Sequence, residues 1–376
     1  MKLCATVAEF NPFHNGHGYL INNFKGNFDA TVAIMSGNFV QRGDVAVFNK
    51  FHRANEAVRN GVDVVIELPV IYALSSAETF AEGAVKTLNA LNSIDTLFFG
   101  SEEGSIEPLM KAAELSLNEC EDFTQVLKRE LSKGLSYPKA LNEAYKASGI
   151  IEEIISSPNN ILGIEYIKAL IKTASSITPA TTKRIGAEHD SSTASGSVAS
   201  ASHLRALIGE GKSVSDYMPQ GTNPSPVFGQ SFSHIILYTL KTATYEYLTS
   251  IPDCSPDLAA RFIEASRYNS LEETIKHVKS KNFTESRIRR ILWNAVIRNN
   301  IPPKTDPSYI RILAQSKRGG EVINFFKENS SLPVIQKGVQ LKDNPVFLTE
   351  ARATDIYNII ANLPSGADFR HSPIPI

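Results

Sequence analysis

The sequence has little cysteine, no long hydrophobic run and almost no net charge. Its three cysteines, Cys4, Cys120 and Cys254, are scattered without a CxxC pair, which excludes a disulfide framework and a cysteine zinc site. No apolar run approaches the roughly 18 residues that a membrane span requires, so we expect no membrane partner. The first residues also lack the pattern of a secretory signal, and together these absences indicate a cytoplasmic protein.

The formal net charge of −1 conceals two regions of opposite charge. Residues 1–190 contain 17 Lys and Arg against 23 Asp and Glu, whereas the remaining residues contain 21 against 16. Within the second region, residues 276–318 carry 11 basic and only 2 acidic residues. A chain of 376 residues is too long for one ordinary core, so we expect two domains, the second with a polyanionic partner.

The stretch VAEFNPFHNGHGYL, residues 7–20, marks the end of a predicted strand and the start of a predicted helix. The first N–H groups of such a helix point into the break and, with the helix dipole, favour an anion such as a phosphate. Gly16 lets the backbone approach that anion because it has no Cβ. His14 and His17 project from one face of the first turn, where imidazoles can donate hydrogen bonds to a leaving pyrophosphate. The same pair also suits a solvated surface or a weak metal site.

Strands and helices alternate through the first half of the chain. The sequence predicts strands at residues 3–10, 29–36, 62–68, 95–99 and 176–185, with helices between them. This order implies βαβ crossovers and a parallel sheet, whose ligand binds at the carboxyl ends of the strands. Asn11-Pro12, Gly37 and Gly100 all fall at these ends. Residues 39–47 are predicted to be an irregular loop.

Two further segments of the first half carry candidate ligand contacts. Asn159 and Asn160 follow Pro158 at the start of a predicted helix, where they either cap that helix or recognise an adenine or ribose edge. Arg184 ends the last predicted strand and would face the ligand, although a basic residue there is usually a solvated charge. Residues 186–199 are small and polar, which predicts a mobile loop over the site.

The segment SASHLR, residues 200–205, opens another predicted helix. Ser202 lies at its start and Arg205 about one turn further on. A hydroxyl, the helix N–H groups and a guanidinium together can hold the β- and γ-phosphates of a nucleotide. We therefore assign Ser202 and Arg205 to phosphate binding.

The second half is predicted to be mainly helical and basic. Residues 219–226 form a Pro- and Gly-rich linker, so we divide the chain into domains 1–218 and 219–376. The helix predicted at residues 284–298 has an apolar stripe on one side, and we place Arg287, Arg290 and Arg298 on the other. Such a charge run is often only a solvated face, but few acids balance it here. We assign the following residues to contact with the phosphate backbone of RNA: Lys276, Lys279, Lys281, Arg287, Arg289, Arg290 and Arg298.

The histidine segment NPFHNGH resembles the HxGH motif of the Rossmann-like nucleotidyltransferase superfamily. Residues 200–205 look like its second motif, ISSTxIR, although His203 interrupts the pattern and Ser replaces the usual Thr. The resemblance implies an α/β fold: a nucleotidyltransferase domain with a parallel sheet, followed by a mainly helical C-terminal domain.

A closer resemblance is to the bacterial tRNA(Met) cytidine acetate ligase family. It rests on the segments EFNPFHNGH, SGNFVQRGD, KFHRANEAVRNGVDVVIELP, SSAETFAEGAV, FFGSEEG and SPNNILGIEY. It covers the chain from its start to at least Arg205. The family's activity, which the resemblance implies, forms N4-acetylcytidine at the wobble position of elongator tRNA(Met) from acetate and ATP, through an acetyl-adenylate.

The resemblance also implies where ATP binds in this sequence. The implied ATP contacts are Val7, Ala8, Glu9, Phe10, Asn11, Pro12, Phe13, His14, Asn15, Gly16, His17, Gly18, Tyr19, Leu20, Gly100, Asn159 and Arg184. His14 and His17 are the candidate catalytic residues. Mg²⁺ is expected to accompany ATP with phosphate and water ligands, so we assign it no protein ligand.

Two other functions remain compatible with the sequence. One is an adenylyltransferase of cofactor biosynthesis, although its small substrate would not require the basic second half. The other is a non-catalytic RNA-binding protein that retains an ATP-binding fold.

Overall fold

A mainly parallel sheet of seven strands forms the centre of the protein. The computed structural model describes residues 1–118, 121–184, 198–221 and 223–376. The strands of this sheet are Leu3–Ala8 (β1), Ala30–Ser36 (β2), Val64–Leu68 (β5), Thr96–Ser101 (β6), Thr178–Lys183 (β7), Ile310–Gln315 (β8) and Val334–Ile335 (β9). They follow the order β7-β6-β1-β2-β5-β8-β9 across the sheet. Phe39–Val40 (β3) and Asp44–Val45 (β4) form a separate hairpin.

The five strands from the first half are parallel to one another, as the alternation of strands and helices predicts. β1 and β2 are buried along almost their whole length because helices cover both faces of the sheet. β8 pairs antiparallel with β5, and β9 then pairs parallel with β8. The second half of the chain therefore contributes two strands to the same sheet. The domain boundary at residues 218 and 219 stays a prediction.

Helices account for most of the remaining structure. In the first half they are Asn15–Lys25 (α1), Lys50–Arg59 (α2), Val70–Ala73 (α3), Ala77–Ala90 (α4), Ile106–Asn118 (α5), Glu121–Ser132 (α6), Tyr137–Ala147 (α7), Glu152–Ser156 (α8), Pro158–Lys172 (α9) and Ala201–Gly209 (α10). In the second half they are Ser233–Thr242 (α11), Tyr245–Ser250 (α12), Pro256–Ala265 (α13), Leu271–Val278 (α14), Glu285–Ile297 (α15), Gly319–Asn329 (α16), Pro345–Ala361 (α17) and Ala367–Arg370 (α18). Within the described residues, none of these helices has the length and apolar character needed to cross a bilayer.

A cluster of buried charges joins the two halves of the chain at strands β5 and β8. The Lys50 ammonium lies 2.5 Å from a Glu67 carboxylate oxygen, 2.9 Å from Glu350 and 2.8 Å from Asp368. Arg311 pairs with Glu67 at 3.0 Å and also with Asp368. All five side chains are at most 1% exposed. We call these five residues the buried charge cluster.

A chain terminus is expected to be poorly ordered, and from the sequence we predict this for the residues after Asn362. That prediction is wrong, because this segment packs against the protein. Its helix α18 brings Asp368 into the buried charge cluster. The His371 ring stacks on Phe51 with a centroid separation of 4.0 Å, and its Nε2 hydrogen-bonds to the Leu313 carbonyl at 2.8 Å. Asp368 and His371 thus have specific partners in the rest of the chain.

Candidate active site

A cavity of about 370 Å³ opens at the carboxyl ends of β1 and β6, where the sheet order predicts a ligand. Of the nineteen predicted nucleotide-binding positions, thirteen line this cavity. The predicted residues that line it are Val7, Ala8, Glu9, Phe10, Asn11, His14, His17, Leu20, Gly100, Asn159, Arg184, Ser202 and Arg205. Gly16 and Tyr19 line a smaller adjoining recess. Pro12, Phe13, Asn15 and Gly18 line neither, and the Phe13 ring packs beside His17 instead.

The two histidines form the N-terminal cap of α1. The His14 Nδ1 accepts a hydrogen bond from the Gly16 N–H at 3.1 Å, and the His17 Nδ1 accepts one from the His14 N–H at 3.2 Å. Each Nδ1 is therefore the acceptor, so the proton of each neutral ring lies on Nε2. The rings face each other at 3.8 Å between centroids, which places two Nε2–H donors side by side.

Both imidazoles stay neutral at physiological pH. Burial, together with the charges of Arg184 and Arg205, lowers the pKa of His14 to about 3. Burial also lowers the pKa of His17 well below its usual range, and His14 and Arg184 lower it further. Neutral rings donate hydrogen bonds through Nε2 without acting as general acids near pH 7. The site can therefore stabilise developing negative charge by fixed donors.

The start of α9 joins the end of β6 through two asparagines with different roles. The Asn160 side chain is buried, and its Oδ1 accepts hydrogen bonds from the N–H groups of Glu102 at 3.0 Å and Glu103 at 3.1 Å. The Asn159 amide donates to the Glu102 carboxylate at 2.6 Å, and its Oδ1 accepts from Arg184 at 3.4 Å. Neither side chain caps its own helix. Asn160 holds the backbone together, and Asn159 orients Arg184 at the cavity.

The start of α10 forms a further part of the cavity lining. The helix is capped by Ser200, whose hydroxyl accepts from the His203 N–H at 3.1 Å. Ser202 and Arg205 line the cavity from the first turns, and the Arg205 guanidinium donates to the Asn11 carbonyl at 2.7 Å. The N-termini of α1 and α10 thus meet at one cavity. The predicted loop over the site, residues 186–199, lies outside the described residues up to position 197.

One wall of the cavity was not predicted from the sequence. Gln41 and Arg42 line it from the hairpin of β3 and β4, where the sequence predicted only an irregular loop. The Gln41 N–H donates to the Glu9 carboxylate at 2.7 Å. Burial raises the pKa of Glu9, although this hydrogen bond and nearby guanidiniums oppose the shift. The polar run at residues 41–44 beside a predicted strand end was the available signal.

The basic residues of the second half are not a uniform exposed face. Arg289 pairs with Glu285 at 2.9 Å, and Lys279 pairs with the same carboxylate at 3.0 Å. Arg287 lies 3.3 Å from Asp253. Lys276, Lys281 and Arg298 are exposed.

Arg290 corrects our placement of it on the solvent side of α15. It is only 7% exposed and donates a hydrogen bond to the Gln41 carbonyl at 3.4 Å. The buried face of the helix is wider than the apolar stripe that the sequence indicates, because Trp293 and Asn294 are buried as well. Arg290 thus lies between α15 and the wall of the cavity.

Comparison with known proteins places this geometry in context. The family described as HIGH Nucleotidyl Transferase matches residues 1–370. The tRNA(Met) cytidine acetate ligase of Caldanaerobacter subterraneus subsp. tengcongensis is 42% identical over 384 residues, which cover 96% of this chain and 95% of the relative. The enzyme of the same name from Thermoanaerobacter sp. is 40% identical over 403 residues, with 100% of both chains covered.

Solved structures agree with these sequence relationships. The crystal structure of apo Thermotoga maritima TmcAL has a TM-score of 0.90 to this chain at 32% identity, with 100% of both chains covered. A second crystal structure, of Thermotoga maritima TmcAL bound with alpha-thio ATP, has a TM-score of 0.87 at the same identity and coverage.

Proposed function

Since the chain belongs to the HIGH nucleotidyl transferase family, and within it to the tRNA(Met) cytidine acetate ligases, we propose that it acetylates the wobble cytidine of elongator tRNA(Met) with acetate and ATP. One observation carries the chemistry. Two neutral imidazoles present paired Nε2–H donors at a helix N-terminus, inside a cavity large enough for a nucleotide.

In the first proposed step, an oxygen of acetate attacks the α-phosphorus of ATP. The bond from that phosphorus to the bridging oxygen breaks, pyrophosphate leaves with the electron pair, and acetyl-adenylate forms. Acetate is itself the nucleophile, so the protein supplies position and charge stabilisation instead of a nucleophilic side chain. The Nε2–H groups of His14 and His17 donate to the leaving group, while Ser202 and Arg205 hold its phosphates.

In the second proposed step, the exocyclic amine of cytidine attacks the acetyl carbon. The bond between that carbon and the adenylate oxygen breaks, AMP leaves, and the amine loses a proton. The cytidine has to leave its stack to reach the cavity, so the protein must hold the surrounding tRNA. We propose that exposed cations of the second half, with Lys276, Lys281 and Arg298 foremost, contact its phosphates.

We also propose that Mg²⁺ accompanies ATP and that the reaction takes place in the cytoplasm. Among the described residues, no three His, Cys, Asp or Glu side chains are grouped to hold an ion. An ion that accompanies ATP would take its ligands from phosphate oxygens and water. When bound, Mg²⁺ would neutralise part of the triphosphate charge.

Incubation with labelled acetate tests the proposal directly. Wild-type protein, ATP and elongator tRNA(Met) should yield labelled N4-acetylcytidine at the wobble position, detected by mass analysis of the nucleosides. Acetate should also be required for ATP–pyrophosphate exchange in the absence of RNA. Exchange that requires a phosphorylated cofactor precursor instead would support an adenylyltransferase.

Replacement of His17 by Ala tests the role of the imidazole pair. Loss of one donor to developing charge costs about 10²- to 10³-fold in rate, so exchange should fall by that amount. The matched control is His234→Ala, because His234 is exposed on α11, away from the cavity lining. An undiminished rate in the His17 variant would contradict the proposed mechanism.

A further inference from the structure

The hairpin of β3 and β4 lies between the cavity and the basic helix α15. On its inner side, Gln41 and Arg42 line the cavity. The Gln41 side-chain amide donates to the Ser75 carbonyl at 3.2 Å, and its backbone N–H donates to Glu9. These contacts fix the direction in which the inner side of the hairpin faces.

On its outer side, the hairpin is held by side chains of α15. The Trp293 indole N–H donates to the Gly43 carbonyl at 3.2 Å, and Arg290 donates to the Gln41 carbonyl. Asn294 donates to the Leu74 carbonyl at 3.1 Å, next to the residue that receives the Gln41 amide. Three side chains of the helix, at positions 290, 293 and 294, thus donate to main-chain oxygens of the hairpin and of Leu74.

Gly43 makes this contact possible because the backbone of α15 lies directly against it. A Cβ at Gly43 would lie 2.7 Å from both the Arg289 Cβ and the Arg290 nitrogen. Its φ of +77° also lies in the region that favours glycine. The backbones of the hairpin and of α15 therefore make their close contact at Gly43, directly after the cavity-lining residues Gln41 and Arg42.

Burial separates these helix residues from any RNA-binding surface. Trp293 is 3% exposed and Asn294 is 1% exposed, so neither can reach a ligand in solvent. Arg290 is similarly buried. In contrast, Arg42 is exposed at the rim of the cavity. It lies close enough to Glu9 and Arg205 for its positive charge to act to lower the pKa of both groups. Arg42 is thus the cation that this wall presents to the cavity.

We infer that Arg42 binds an oxyanion of the substrates, and that Trp293 and Arg290 are positioning residues that act through it by fixing the hairpin. This inference rests on the proposed function, whose substrates in the first step, acetate and ATP, are both anions. A guanidinium suits either group, because its planar donors match a carboxylate or a phosphate. Helix α15 then contributes to the formation of acetyl-adenylate even when no RNA is bound.

A double-mutant cycle on ATP–pyrophosphate exchange without RNA tests the inference. Arg42→Gln should lower kcat/KM by about 100-fold, and Trp293→Phe by about 10-fold, since small displacements of a positioned group are costly. In the Arg42→Gln background, Trp293→Phe should cost less than about twofold, because the group through which it acts is gone. Arg290→Gln should behave like Trp293→Phe, and it replaces that variant if Trp293→Phe does not fold.

Control variants and thermal midpoints distinguish a loss of Arg42 positioning from a loss of fold stability. Ser286→Ala changes another residue of α15 that does not line the cavity, and exchange should be unaffected. The thermal midpoint of each variant is measured alongside, and Arg42→Lys should recover part of the rate lost by Arg42→Gln. A higher KM for acetate would assign the oxyanion to the carboxylate, whereas a higher dissociation constant for ATP would assign it to the phosphates.

Two results would overturn the inference. The first is wild-type exchange in Arg42→Gln, which would show that Arg42 binds no substrate. The second is a cycle in which the losses multiply, which would show that Trp293 does not act through Arg42. If wild-type exchange depends on an anion other than acetate, the proposed function is wrong, but the same cycle run with that anion still tests both roles.

Discussion

Replacement of Lys50 by Met should destabilise the fold severely. Methionine retains most of the side-chain volume, so the substitution removes charge with little change in packing. Three carboxylates, Glu67, Glu350 and Asp368, then remain around one cation, Arg311. With all three carboxyls ionised, the formal charge of the buried charge cluster changes from −1 to −2. No water can compensate, because these side chains are at most 1% exposed.

The expected loss follows from the burial of the pairs. Removal of one partner from a buried ion pair costs about 3–5 kcal/mol, since the other charge is left uncompensated. Lys50 has three such partners, so we expect a value near the upper end of that range. Lys86→Met is the matched control, because Lys86 pairs with Asp306 at 2.7 Å at the surface, where Asp306 is 79% exposed. An exposed pair contributes about 0–1 kcal/mol.

The deficit should also grow with pH. Burial raises the pKa of Glu350 to about 8 from an ordinary value of 4.5, although Lys50 opposes this shift. A carboxyl with a raised pKa stabilises the folded state fully below about pH 4.5 and loses that contribution as the pH rises through about 8. Without Lys50 the pKa rises further, so more stability is lost at neutral pH. The loss should therefore be larger at pH 8 than at pH 5.

Urea unfolding followed by circular dichroism at several pH values measures this effect. Lys50→Met combined with Glu350→Gln restores the formal charge and should recover part of the stability. A loss below about 1 kcal/mol, equal to that of the surface control, would refute the reasoning. So would a deficit that does not change between pH 5 and pH 8, because the carboxylates would then not feel the missing cation.

Three further predictions concern the cavity and the RNA surface. Because burial lowers the pKa of His14 and His17, the pH profile of exchange should show no inflection near 6.5; an inflection that His17→Ala removes would contradict the neutral tautomers. Gly163→Ala would place a Cβ 2.5 Å from a carbon of the Phe99 ring, which lines the cavity, so calorimetry should show ATP binding weakened by about 10-fold; an unchanged affinity would show that the ring can yield. Lys281→Gln should lower the salt dependence of tRNA binding by about one unit of slope, and an unchanged slope in filter binding would remove Lys281 from the RNA surface.

Much of the nucleotide site could be predicted because local patterns determine it. The turn at Asn11-Pro12 ends β1, and the chemistry of a helix start then places His14 and His17 at the same edge as Gly100. These features depend on neighbouring residues and on the order of strands in a parallel sheet. The same local reasoning predicts a helix at residues 50–59, which ends at Asn60-Gly61, and a helix cap at Ser76, and both predictions are confirmed.

Features that join distant parts of the chain could not be predicted. Lys50 lies at the start of an ordinary amphipathic helix, and nothing near it indicates partners about 300 residues away. Arg290 follows the spacing of a solvent-facing residue, yet the hairpin covers it. β8 pairs antiparallel with β5, and the alternation of strands and helices that predicts the parallel strands does not predict this pairing. Tertiary contacts decided each case, and a single sequence carries no record of them.

The buried charge cluster also bears on how the protein is made. Glu350 follows Lys50 by 300 residues and Asp368 by 318. At about 5–20 residues per second, a ribosome needs about 15–60 s to translate that interval. For much of this time, the nascent first half contains Lys50 without its partners Glu350 and Asp368, and β5 without its neighbouring strand β8. The buried charge cluster can therefore be completed only after α17 and α18 have been synthesised.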